Sequence, residues 1–213
     1  MATADKLQYL NETKQQIKAA IIAKGVSVSN TDTFRSYANK IAAIETGSTT
    51  IDSQEDALLT GEITTYTNNR ITKVRNQGLA NFENLESVEL GNVTEIGEEG
   101  LAYNPNLYDV QIRNAKTLGM SCFRDCYSLS EIYLDGVDAI PAQCFYDCES
   151  LMTIHLPSST KLVTLASVDA LAGTAIANGE GSIYVSMHMI DQYKTAANWS
   201  EYADRFVAAY GPF

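Results

Sequence analysis

Proline and positive charge are both scarce in this chain. Four prolines and 13 glycines among 213 residues exclude a collagen-like or low-complexity chain. Fifteen Lys and Arg stand against 26 Asp and Glu, a net charge of -11. A surface this acidic repels phosphate backbones and anionic bilayers, so neither nucleic acid nor membrane is an expected partner. No run approaches the ~20 apolar residues of a membrane span. The opening Met1-Ala2-Thr3-Ala4-Asp5-Lys6 lacks the basic and apolar regions of a cleaved signal, which predicts a chain that does not leave the cell by that route. Nucleophile elbows, zinc-protease helices, Walker loops and dinucleotide fingerprints are missing too. His155 and His188 belong to no metal or triad pattern. No catalytic residue, metal ligand or cofactor is therefore expected.

What the chain does have is a repeat. Leu85, Leu107, Leu129 and Leu151 recur at a step of 22 residues. Val88, Val110, Ile132 and Ile154 keep that step, as do Leu90, Ile112, Leu134 and Leu156. Ile96, Leu118, Ile140 and Leu162 follow, and then small residues at Gly100, Cys122 and Cys144. Ile71, Val74, Leu79 and Phe82 fit an incomplete first unit. Leu-x-x-Val-x-Leu implies a short strand with alternate residues inward. One such unit cannot bury its own apolar edge, so stability must come from stacking on its neighbours.

The segments Cys122-Phe123-Arg124-Asp125-Cys126-Tyr127-Ser128-Leu129 and Cys144-Phe145-Tyr146-Asp147-Cys148-Glu149-Ser150-Leu151 resemble the BspA-type leucine-rich repeat, and Ile154-His155-Leu156-Pro157 fits its closing part. The resemblance covers roughly residues 60–190. It implies an α+β fold: a leucine-rich-repeat solenoid with short strands on one face, after an N-terminal helical hairpin and before a C-terminal helical cap. Such repeats serve in surface adhesins, phage structural proteins and other interaction modules.

The expected domains are a helical hairpin over 1–45, a polar linker over 46–56 and the repeat domain over 57–213. In the first, Leu7, Leu10, Ile17 and Ile21 follow helical spacing, and Phe34, Tyr37 and Ile41 repeat it after Gly25. A hairpin this small needs a surface to pack on: the repeat domain, a second copy or a larger assembly. Residues 5–45 resemble a helical module of phage tail and fibre proteins, which favours attachment and homo-oligomerisation. Thr67-Asn68-Asn69-Arg70 suggests a hairpin turn at the start of the sheet. At the far end, Ser182 to Val185 reads as a strand with Ile183 and Val185 inward. Met189–Lys194 and Trp199–Val207 read as two short helices, with Trp199 plugging the open end.

The four cysteines form two Cys-x-x-x-Cys pairs, 122/126 and 144/148. Their repeat positions favour reduced core thiols, with zinc ligation and disulfides as the alternatives. The outward strand positions are the candidate binding surface: Glu89, Asp109, Gln111, Arg113, Glu131, Tyr133 and His155, with His155 pointing outward. The resulting expectation is a phage or prophage structural protein. Its helices would join it to other virion or surface proteins, and its repeats would contact a host-surface protein or glycan. A bacterial adhesin or interaction module unconnected with virions is the alternative. The expected location is the virion, or otherwise the bacterial surface or exterior.

Overall fold

The computed structural model describes residues 13–15, 17, 18, 21, 28, 57, 58, 60–158 and 160–209. The chain divides into two compact units, 1–57 and 58–213. In the first, residues 13–15, 17, 18 and 21 are helical, with Ile21 buried and Ile17 half-buried. Leu7, Leu10, Phe34, Tyr37 and Ile41, and with them the expected hairpin, lie outside the described residues.

The second unit is a stack of parallel rungs. The first row of strands is β1 (Thr65–Thr67), β3 (Ser87–Glu89), β5 (Asp109–Gln111), β7 (Glu131–Tyr133), β9 (Thr153–Leu156) and β11 (Ser182–Ser186). The second row is β2 (Lys73–Val74), β4 (Glu95–Ile96), β6 (Thr117–Leu118), β8 (Ala139–Ile140) and β10 (Thr164–Leu165). Strands therefore occupy two sides of each rung, not one. Pairing is parallel with residues 22 apart in register, as in Val88 with Val110 and Ile132 with Ile154. The expected hairpin near Asn68 is absent: β1 pairs with β3 and β2 with β4, both in parallel. The Asn-Asn pair turns the corner of the first rung, and Asn69 Oδ1 accepts the Gly91 N–H of the next at 2.8 Å.

A third side is also laddered. Leu79, Leu101, Phe123 and Phe145 donate their N–H groups to the next rung at 2.8–2.9 Å. Between them lie non-glycine residues with positive φ, at Gln77, Glu99, Ser121 and Gln143 and again at Asn81, Tyr103, Asp125 and Asp147. This conformation costs such residues about 1–2 kcal/mol each. It turns their amides along the stack: Tyr103 N–H reaches Arg124 O at 2.7 Å and Asp147 N–H reaches Ala172 O at 2.9 Å. A lost inter-rung bond would leave a buried amide unpaired, so the strained turn is held.

The core is the filled interior of the stack, from Leu58 through Leu85, Leu107, Leu129 and Leu151 to Trp199 and Phe206. At its C-terminal end the chain forms η1 (Val168–Leu171), β11, α1 (Ile190–Thr195), η2 (Trp199–Arg205) and β12 (Phe206–Ala209). The second expected helix is thus a 3₁₀ segment that gives way to a strand. β12 pairs in parallel with β11, placing Phe206 beside Ile183. Trp199 is fully buried; its indole N–H donates to Val163 O at 2.7 Å, and Tyr193 Oη accepts the Val163 N–H at 3.0 Å.

Candidate recognition face

Along the first row of strands the central residue is buried, and the residues on either side point away from the core. Core packing places no demand on those outward side chains, which makes their chemistry informative. One outward column runs Thr65, Ser87, Asp109 and the other Thr67, Glu89, Gln111, each continuous through paired strands. On the later rungs Glu131, Thr153 and Ser182 form one column, and Tyr133, His155 and Tyr184 the other. Glu89, Arg113 and Glu131 are exposed, and Asp109, Gln111 and Tyr133 half-buried.

The aromatic column is one continuous stack. Tyr133 and His155 lie 4.1 Å apart, centre to centre and 2° from parallel, and His155 and Tyr184 are 5.0 Å and 13° apart. Identical positions on adjacent parallel strands bring flat rings face to face. His155 Nε2 donates to Glu131 Oε1 at 2.7 Å, and the same oxygen accepts the Tyr133 hydroxyl at 3.3 Å. Burial first, and then the Glu131 carboxylate, push the Tyr133 phenol up. His155 is the correction on this face: its position is outward, but the two tyrosine rings bury it to 7% exposure. It fills the stack and leaves Tyr133, Tyr184 and Glu131 to meet a ligand. Tyr184 was legible as outward from its place between Ile183 and Val185; only its register beside His155 was hidden.

The face is also divided. Asp109, Gln111 and Arg113 belong to a sheet ordered β1-β3-β5, and Glu131, Tyr133 and His155 to one ordered β12-β11-β9-β7. On the near side Gln111 Nε2 donates to Asp109 Oδ1 at 2.8 Å.

The four cysteines are free and fully buried. Cys126 Sγ donates to Leu101 O at 3.2 Å and Cys148 Sγ to Phe123 O at 3.0 Å. Cys122 and Cys144 place their sulfurs 3.3 Å apart, across rungs and not within either Cys-x-x-x-Cys pair. Burial drives Cys126 up to about 12 and raises Cys144 and Cys148 as well. A protonated thiol is a poor nucleophile and a poor metal ligand. Among the described residues no group of three or more His, Cys, Asp or Glu is placed to hold a metal ion. None of the described helices is long and apolar enough to cross a membrane.

Residues 62–167 match the BspA type leucine-rich-repeat region in six copies. The chain carries a BspA-type leucine-rich-repeat region. Among solved structures, a leucine rich cell surface protein from Faecalibacterium prausnitzii A2-165 is similar over 66% of this chain and 35% of its own, at 21% identity and a TM-score of 0.51. A leucine-rich repeat protein from Eubacterium ventriosum ATCC 27560 is similar over 52% of this chain and 36% of its own, at 18% identity and a TM-score of 0.44. The chain thus spans about a third of the length of either protein. No curated protein matches it. Residues 5–45, which carry the likeness to phage tail modules, lie outside the matched repeat region.

Proposed function

We propose that this BspA-type repeat chain is a non-enzymatic adhesion module of the bacterial cell-surface kind, with its outward strand positions as the contact surface. The observation that carries the reading is the Tyr133–His155–Tyr184 stack with Glu131 hydrogen-bonded to it. Core packing does not require rings there, and the equivalent positions on earlier rungs hold Thr67, Glu89 and Gln111. Broad sheet faces of this kind are how repeat proteins recognise partners. The printed description of the F. prausnitzii structure as a cell surface protein points the same way. The partner is a host-surface protein or glycan. The N-terminal helices, with Ile17 and Ile21 on one side, attach the module to another protein or to a second copy.

Immobilised chain screened against host-surface proteins and glycans tests the reading. Tyr133→Ala with Glu131→Gln should weaken the bound partner by at least about tenfold while unfolding stays near the parent, in line with loss of one interface anchor. Unchanged binding by that double variant and by Arg113→Ala would remove the strand face from the mechanism. Light scattering over a concentration series tests attachment through the helices; a monomer at every concentration would exclude self-association.

A further inference from the structure

Along the stack, strand pairing fails at one place only, and it fails on both strand rows together. β5 does not pair with β7, nor β6 with β8, whereas every other neighbouring pair of strands forms a ladder. On the first row the flanking bonds recur as Asp109 N–H to Glu86 O and Thr153 N–H to Ser130 O, both at about 3.1–3.2 Å. They recur again as Leu90 N–H to Gln111 O at 2.9 Å and Leu134 N–H to His155 O at 3.0 Å. Their counterparts at the seam, from Glu131 N–H and Ile112 N–H, are missing among the described residues.

The amino-acid sequence contains the cause on the second row. Gly97, Gly119 and Ala166 donate their N–H groups to the preceding rung at 2.7–2.9 Å. The equivalent residue at the seam is Pro141, which has no N–H to give. Asn92 and Asn114 each clamp the preceding rung through a side-chain amide, at 2.6 and 2.5 Å. The equivalent residue at the seam is Gly136, which has no side chain. One strand-side bond survives, Asp138 N–H to Lys116 O at 3.2 Å. The third side is intact: Phe123 N–H reaches Cys144 O and Asp125 N–H reaches Tyr146 O, both at 2.9 Å. The Phe123 and Phe145 rings stack there at 5.4 Å and 7°.

We infer that the repeat unit is two half-stacks hinged on this turn side, parting along the seam between β5–β6 and β7–β8. The hinge crosses the middle of the proposed contact surface. Asp109, Gln111 and Arg113 ride on one half, and Glu131, Tyr133 and His155 on the other. A partner that touches both halves therefore reads their separation, and its binding closes the seam. That consequence rests on the proposed adhesion reading; the hinge itself does not.

Residue-resolved hydrogen exchange on the full chain, without ligand, tests the hinge. Amides of Ile112 and Glu131 should exchange on the order of tenfold or more faster than those of Leu90, Asp109, Leu134 and Thr153, because they open without global unfolding. The double variant Gly136→Asn with Pro141→Gly supplies the missing side chain and N–H, and should slow the seam amides toward their equivalents. Equal protection at all six positions in the parent would overturn the hinge. So would a folded double variant whose Ile112 and Glu131 amides exchange as fast as before. Failure to bind any partner would leave these readouts unchanged and would count against the adhesion reading alone.

Discussion

Asn104 is fully buried, and three hydrogen bonds account for it. Its Oδ1 accepts the Phe82 N–H at 2.8 Å, and its Nδ2 donates to Leu79 O at 2.8 Å and Leu101 O at 2.7 Å. On the next two rungs Cys126 and Cys148 take its place and cap one carbonyl each. Asn104→Ala strands three buried backbone groups, and at about 1–3 kcal/mol for an unsatisfied group urea titration should show a loss of several kcal/mol. Asn104→Cys should lose less, because a thiol restores one of the carbonyl contacts. The thiols give a second prediction. A thiol held neutral in the fold stabilises it fully below its ordinary value of 9.0, and for Cys126 that contribution fades as pH rises toward about 12. Above 9.0 the unfolded chain holds fewer protons than the folded one, so stability falls with rising pH. Denaturation midpoints should therefore decline from pH 9 upward, and a Cys126→Ala variant should decline less steeply. Thiol labelling of the native protein at pH 8 should be slow at all four positions and rapid in denaturant.

Two elements divide what the amino-acid sequence discloses from what it hides. The stack across β7, β9 and β11 was readable as outward residues, because strand alternation is local. That His155 would be enclosed was not readable, since it depends on which ring follows from a strand 29 residues away, Tyr184 against His155. His155→Ala opens a gap between two rings and should cost about 1–3 kcal/mol, while His155→Phe keeps the stack and most of the stability; thermal melts decide between them. At the C-terminal end, helical spacing over 199–207 suggested a helix, but β11 offers Phe206–Ala209 a parallel partner, and pairing outweighs local propensity. Trp199→Ala should cost about 3–5 kcal/mol, with Trp199→Phe intermediate because Val163 O loses its donor. The emission of this single Trp should be blue-shifted in the parent and shift red on unfolding.

Across the whole repeat unit, the apolar positions at a step of 22 were enough to deduce stacking, because equivalent rungs must bury equivalent faces. The same positions say nothing about rung-to-rung hydrogen bonding, and the seam lies there, encoded by Gly136 and Pro141 against a background of Asn, Gly and Ala. Asn-Asn near residue 68 misled for a related reason: turn chemistry reports the bend and not what the next strand pairs with. The positive-φ residues of the third side, among them Glu99 and Gln143, carry no compositional mark at all. Amide-proton nuclear Overhauser contacts across the rungs test the stacking most directly. Contacts linking the Val88 and Val110 backbones, and likewise Ile132 with Ile154, are predicted. Antiparallel contacts between residues 65–67 and 73–74, with none 22 residues apart, would contradict the fold and every role assigned on it.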